Sequence, residues 1–61
     1  MSISVEDKEM VPVVEFRREM THLLLQLRRR ELPKVVITSH GRLKAVVLSV
    51  REYEKLLEAA K

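Results

Sequence analysis

Residues 33–57 read PKVVITSHGRLKAVVLSVREYEKLL, and this stretch decides the fold. Two β-branched, apolar runs, residues 34–39 and 43–48, flank a short turn that contains the only glycine of the chain, Gly41. Such runs favour strands, and glycine accepts the positive φ that a tight hairpin requires. The stretch therefore predicts a β-hairpin followed by a helix.

The length of the hairpin loop decides which side chains share a face of the sheet. A two-residue loop, His40-Gly41, would place Ile37 opposite Lys44. A three-residue loop that also includes Arg42 separates apolar from polar side chains better, so we expect this second register. It places on one face Val35, Ile37, Leu43, Ala45 and Val47.

The other face of the hairpin is the predicted dimer interface, because Val36, Val46 and Leu48 make it too apolar for solvent. A chain of 61 residues is short for a self-sufficient core. It has no cysteine for a disulfide, and its two histidines lack metal-ligand spacing. We therefore expect a homodimer that shares an antiparallel sheet.

A helix is predicted on each side of the hairpin. The first begins near Val13 or Val14 and ends near Arg30 or Glu31, before Pro33. Its apolar stripe comprises Phe16, Met20, Leu23, Leu24 and Leu27. The second follows a capping box, in which Ser49 is the N-cap and Glu52 lies three residues later. Its apolar stripe comprises Val50, Tyr53, Leu56 and Leu57.

The complete prediction is an α+β domain over residues 10–61, with a flexible N-terminal tail over residues 1–9. A short strand is possible at residues 10–13, because Pro12 pushes the preceding residue toward extended geometry. No apolar run reaches the roughly 18–20 residues that span a membrane. The N-terminus is polar and acidic, unlike a signal peptide. We expect a cytoplasmic protein without a membrane partner.

The net charge of +3 hides a cationic middle. Residues 1–16 hold one Lys and four acids, residues 17–44 hold eight basic residues and two acids, and residues 45–61 hold three of each. A concentrated basic field favours an anionic partner, first of all nucleic acid.

Helical geometry gathers much of this charge into a basic arc on the first helix, formed by Arg17, Arg18, Arg28 and Arg29. One interpretation is a phosphate-binding surface; the other is a solvated helix face that serves only solubility. Leu25 lies within the arc, either as an incidental exposed leucine or as a protein contact.

Catalysis is not expected. Ser39 and His40 are neighbours, but adjacent strand residues point to opposite faces, and no acidic residue lies nearby to orient the imidazole. Gly41 stands alone, so there is no glycine-rich phosphate loop. We expect no cofactor, no metal and no enzymatic activity.

The order of these elements resembles the Phd/YefM family of type II antitoxins. The resemblance runs from about Val11 to Leu57, through VPVVEFRREM, LLLQL, PKVVITSHGRLKAVVLS and REYEKLL. Its most specific part is P-x-V-V-I-T-x-x-G-R-x-x-A-V-V-L-S-x-x-E-Y-E-x-L. The Arg of the family's E-x-R pattern falls on Arg17, which already belongs to the basic arc.

The resemblance implies a YefM-like dimer that represses its own operon by binding operator DNA and neutralises a cognate toxin, typically a ribonuclease or a translation inhibitor. The expected DNA-binding residues are Arg17, Arg18, Arg28, Arg29, Arg42 and Lys44. The expected toxin-binding residues are Tyr53, Leu56, Leu57 and Leu25. Few residues follow Leu57, so the family's toxin-binding C-terminal extension is expected to be largely absent. Either the chain is truncated or the contact uses these residues.

Two other functions stay open at this point. One is a protein-interaction and dimerisation module that does not bind DNA. The other is a different class of small dimeric repressor, such as a ribbon–helix–helix protein. That fold places one strand before two helices, whereas this sequence places a hairpin between them.

Overall fold

The structure, a computed structural model, describes residues 5–60. After a 3-10 turn at Asp7–Glu9, the elements in chain order are β1 (Met10–Pro12), α1 (Val13–Arg28), β2 (Val35–Ser39), β3 (Arg42–Val47) and α2 (Val50–Ala59). The predicted α+β class is confirmed, with a helix, a hairpin and a second helix. The possible N-terminal strand is also present.

The sheet has the order β1-β2-β3 and is mixed. β2 and β3 form the predicted antiparallel hairpin, whereas β1 runs parallel to β2 and pairs Pro12 with Thr38. The parallel pairing was not predicted. It requires α1 to cross back from the end of β1 to the start of β2, since parallel strands need a long connection.

This crossover gives the molecule two distinct ends. At one end, which we call the turn end, α1 begins beside Thr38 and the hairpin turns at residues 40–41. At the other, which we call the groove end, α1 finishes and α2 starts, because Val47 at the close of β3 pairs with Val35 at the opening of β2. Sixteen residues of α1 separate the two ends, about 24 Å of helix.

The prediction of a three-residue hairpin loop is wrong. Ser39 pairs with Arg42 across the two-residue turn His40-Gly41. Both turn residues have positive φ, 53° at His40 and 74° at Gly41. This is the combination of a type I′ turn, whose twist matches that of the flanking strands.

A β-bulge restores part of the predicted register. The ladder shifts between Ile37 and Thr38, so that Lys44 is the extra residue and Ile37 pairs with Ala45. Leu43 pairs instead with Thr38, which places it on the opposite face from Ile37. The prediction that Leu43 shares a face with Val35 and Ile37 was therefore wrong, and the reason is the bulge.

The core lies between α1 and the sheet. It consists of Val11, Leu23, Leu27, Leu32 and Val35, with Phe16, Ile37 and Val47 packed against it. The predicted stripe of α1 is only partly buried, since Met20 and Leu24 remain 45% and 46% exposed. No residue of α2 is buried, so both helices present apolar side chains to the surroundings.

α1 ends at Arg28, two residues earlier than predicted. Arg30 has a φ of 64°, its N–H donates to the Leu27 carbonyl at 3.2 Å, and the N–H of Glu31 donates to the Gln26 carbonyl at 2.9 Å. These two bonds form a Schellman motif, a helix ending that usually has glycine where Arg30 stands. The motif turns the chain so that Leu32 enters the core.

Glu9, the last residue of the predicted flexible tail, is only 2% exposed. The N–H of Glu6 donates to Glu9 Oε1 at 2.9 Å, and Lys34 Nζ lies 3.2 Å from the same oxygen. The Glu6 bond lowers the pKa of Glu9 below its ordinary 4.5, burial opposes this, and Lys34 lowers it further. The part of the predicted tail at residues 1–4 lies outside the described residues.

Candidate nucleic-acid interface

Four cations that are distant in sequence lie toward the turn end. Arg17 and Arg18 lie in the first turns of α1, which starts next to Thr38. Arg42 is the first residue of β3, directly after the hairpin turn, and Lys44 is the extra residue of the bulge. These four residues form the turn-end cluster.

All four side chains of the turn-end cluster are exposed. Among residues 5–60, the ion pairs involve other cations, namely Lys8, Lys34 and Lys55. The cluster is therefore not neutralised by carboxylates of the described chain. Solvated, unpaired Lys and Arg side chains are the groups that replace counterions on a phosphate backbone.

The other predicted DNA-binding arginines lie elsewhere. Arg28 is the last residue of α1 and Arg29 is its C-cap, so both belong to the groove end. Eleven residues separate Arg17 from Arg28, about 16 Å along the helix axis. The predicted basic arc is thus divided between the two ends of the molecule.

At the groove end, the end of α1 and the start of α2 enclose a groove of about 550 Å³. Arg28 lines it together with Arg30 and Arg51, two arginines that sequence reasoning did not assign to a site. Helix periodicity gave no sign of this arrangement, because the left-handed conformation of Arg30 takes its side chain off the helical wheel. The groove is lined by Leu24, Leu27, Arg28, Arg30, Leu48, Ser49, Val50 and Arg51.

The residues predicted for the dimer interface differ in exposure. Val46 is 46% exposed, whereas Val36 is completely buried within the single chain. Leu48 is partly buried and lines the groove. Of the three residues predicted for the dimer interface, Val46 is therefore the most exposed to solvent.

The residues predicted for toxin binding are exposed. On α2, Tyr53, Leu56 and Leu57 are 55%, 57% and 48% exposed. Leu25, on α1, is 39% exposed. The three residues of α2 recur at helical spacing and form one apolar strip, which we call the α2 face.

Ser39 and His40 do not point apart as predicted. The Ser39 hydroxyl lies 3.1 Å from His40 Nδ1. His40 is a turn residue with positive φ, so the alternation of strand side chains does not apply to it. Between residues 5 and 60 no group of three or more His, Cys, Asp or Glu is placed to hold a metal ion, and no helix is long and apolar enough to cross a membrane.

Comparison with known protein families matches residues 9–61 to the family described as antitoxin Phd_YefM of type II toxin–antitoxin systems. The chain belongs to the Phd/YefM antitoxin family. The match includes both ends of the molecule and the whole hairpin. Searches of curated proteins and of solved structures found no match.

Membership of the Phd/YefM family implies a toxin partner. It also agrees with the element order, in which the hairpin lies between the two helices. A ribbon–helix–helix fold would need one strand followed by two helices. The described residues have a different order, so the ribbon–helix–helix alternative is wrong.

Proposed function

We propose that this Phd/YefM antitoxin binds operator DNA of its own operon as a dimeric autorepressor and neutralises a cognate toxin by direct contact. The observation that carries the proposal is the turn-end cluster, where Arg17 and Arg18 share one end of the sheet with Arg42 and Lys44. A dimer would present this cluster twice, as operators with two half-sites require.

DNA binding is assigned to the turn end because its charges are exposed and unpaired within residues 5–60. The hairpin turn directly before Arg42 has only two residues, His40 and Gly41, both exposed. A small tip lets the backbone approach a phosphate closely. Arg28 and Arg29 are secondary contacts in this proposal, since they lie at the opposite end of α1.

Dimerisation is assigned to β3 and its exposed face. Among residues 5–60, β3 pairs only with β2, so no described strand occupies its other edge, whose backbone groups a second chain could pair with. Val46 and Leu43 are 46% and 49% exposed, so a partner would cover apolar surface that the monomer leaves in water. Val36, which pairs with Val46, supports this surface from within the chain, whereas Leu48 lines the groove.

Toxin contact is assigned to the α2 face, with Leu25 as a possible extension. An amphipathic helix that lays its apolar side chains into a groove of another protein is a common mode of recognition. The toxin class expected from the family resemblance is a ribonuclease or a translation inhibitor. The chain itself acts by binding, without an enzymatic step.

A DNA titration tests the repressor function. We expect the full chain to bind a duplex from upstream of its own gene, with affinity that falls steeply with salt. The double variant Arg17→Gln plus Arg42→Gln removes two cations from each protomer, so for a bound dimer it should reduce the slope of log affinity against log salt by about 4, about 1 for each phosphate contact removed. The matched control is Arg51→Gln, at the groove end.

Wild-type affinity in the double variant at every salt concentration would exclude DNA binding by the turn end. If wild type also failed to bind at low salt, the chain would be a protein-interaction module that does not bind DNA. The exposed α2 face favours that second candidate.

Co-purification tests the toxin contact. The product of the neighbouring gene should co-purify with the wild-type chain and be lost with Leu56→Glu, because burying an unpaired carboxylate is costly. Lys55→Glu is the control, since it adds the same carboxylate to α2 outside the α2 face. Equal recovery with both variants contradicts the assignment.

A further inference from the structure

The groove at the groove end combines an apolar surface with three cations. Leu24 and Val50 are 46% and 75% exposed there, and Leu27 also lines it. The three cations are Arg28 and Arg30 from the end of α1 and Arg51 from the first turn of α2. No Asp or Glu is among the lining residues.

Within the described residues the three arginines have no ion-pair partner, and Glu52, which lines an adjacent cavity with Arg30, pairs instead with Lys55. The Ser49 hydroxyl accepts the N–H of Glu52 at 3.2 Å, which leaves the first two N–H groups of α2 without a helical acceptor. The start of α2 therefore adds a partial positive charge to that of the arginines.

The backbone conformation of Arg30 lowers the stability of the fold. Its φ of 64° is the left-handed conformation, which costs an L-residue about 1–2 kcal/mol. Glycine would end the helix in the same way without that strain. Among residues 5–60 no carboxylate forms an ion pair with the Arg30 side chain, so no ion pair offsets the cost of the left-handed conformation.

We propose that the groove binds an acidic amphipathic segment of a protein partner. Apolar side chains of the segment would cover Leu24 and Val50, and its carboxylates would pair with the three arginines, which are well suited to bidentate carboxylate contacts. A DNA backbone fits the site less well, because it offers no apolar surface to cover these residues. This proposal goes beyond the function assigned to the turn end and the α2 face.

A labelled peptide provides the probe. We use a helix-forming peptide with Leu at helical spacing on one face and Glu on its flanks, titrated with the full chain and followed by fluorescence anisotropy. Binding should weaken as salt rises. A peptide of the same length with Lys in place of every Glu should bind at least about tenfold more weakly, since it meets three like charges.

Two variants locate the binding. Arg30→Gly and Arg51→Gln should each weaken the acidic peptide by about tenfold or more, the effect of losing a charge-assisted hydrogen bond. Arg18→Gln, at the turn end, is the matched control and should leave the affinity unchanged. Arg30→Gly is especially informative, because it is expected to make the fold more stable, so loss of binding cannot reflect unfolding.

Three results would overturn the proposal. One is equal peptide affinity in wild type, Arg30→Gly and Arg51→Gln. Another is a duplex that displaces the peptide and is itself weakened by these variants, which would make the groove a DNA contact. The third is dissociation of the oligomer by Arg30→Gly in sedimentation velocity, which would make the groove an interface between copies of this chain.

Discussion

The two ends of the molecule contain the same kind of residue in different surroundings. At the turn end, Arg42 directly follows the two-residue hairpin turn, and Arg17 lies in the part of α1 nearest this end. At the groove end, Arg28 and Arg51 border an apolar groove that includes Leu24. Leu43 is also 49% exposed at the turn end, so an exposed leucine alone does not separate the two sites. Cations that border an apolar groove suit a carboxylate carried on an apolar segment, whereas cations on an open surface suit a phosphate backbone. Surroundings, more than charge, therefore distinguish the two sites.

The largest expected effect comes from shortening a core leucine at the groove end. Leu27 is 4% exposed, belongs to the core and also lines the groove. Leu27→Ala should lower the free energy of unfolding by about 2–5 kcal/mol, a large part of what a chain of this size possesses. Urea denaturation measures the change.

The matched control is Leu24→Ala, one helical turn away and 46% exposed. It should cost less than about 1 kcal/mol, because a half-exposed side chain loses little burial. If both variants lost the same free energy of unfolding, Leu27 would not be a core residue and Leu24 a surface residue as described.

The next effect concerns the helix ending at the groove end. Arg30→Gly should raise the free energy of unfolding by about 1 kcal/mol, because glycine adopts the observed φ of 64° without strain. Arg29→Gly is the control, since Arg29 has an ordinary φ of −83° and gains nothing from glycine. A stability decrease in Arg30→Gly, measured by thermal unfolding, would contradict the Schellman ending.

A smaller effect is expected in the hairpin at the turn end. His40→Asn should stabilise the chain by roughly 0.5 kcal/mol, because Asn-Gly is the favoured pair for a type I′ turn. His40→Val should destabilise it, since a β-branched residue resists the φ of 53°. If the two variants have the same unfolding midpoint, the turn is not of this type.

The smallest effect is a pH dependence from Glu9, which lies at the groove-end edge of the sheet, beside Lys34 and outside the groove itself. Because the folded state holds the pKa of Glu9 below 4.5, its contribution is complete above that pH and is lost as the pH falls through the lower, folded-state value. Glu9→Gln should therefore flatten the decline of the unfolding midpoint in acid. A decline as steep in the variant as in wild type would assign the dependence to other groups.

The sequence predicted the elements better than their arrangement. The β-branched runs, Gly41 and the Ser49 cap identify the hairpin and the start of α2, because each acts locally. The parallel pairing of β1 has no local cause, since it depends on where α1 returns the chain. The bulge at Lys44 likewise resolves a conflict between turn geometry and apolar register that neither pattern decides alone.

The sequence predicted which kind of residue forms the candidate site, but not where these residues lie in the fold. A helical wheel shows which face Arg17 and Arg28 share, but it discards the axis, along which they are about 16 Å apart. Arg30 and Arg51 were missed because their proximity depends on a helix ending and on tertiary packing. The residues of the α2 face, in contrast, are adjacent through one helix and could be grouped from spacing alone.

The central claim is that the primary DNA contacts lie at the turn end, with Arg28 and Arg29 at the groove end as secondary contacts only. The most direct test is to titrate the ¹⁵N-labelled full chain with its upstream duplex and follow the backbone amide resonances. We predict the largest shifts at Arg17, Gly41 and Arg42, with small shifts at Arg30 and Arg51. The largest shifts at Arg30 and Arg51, with an unchanged turn, would contradict the assignment.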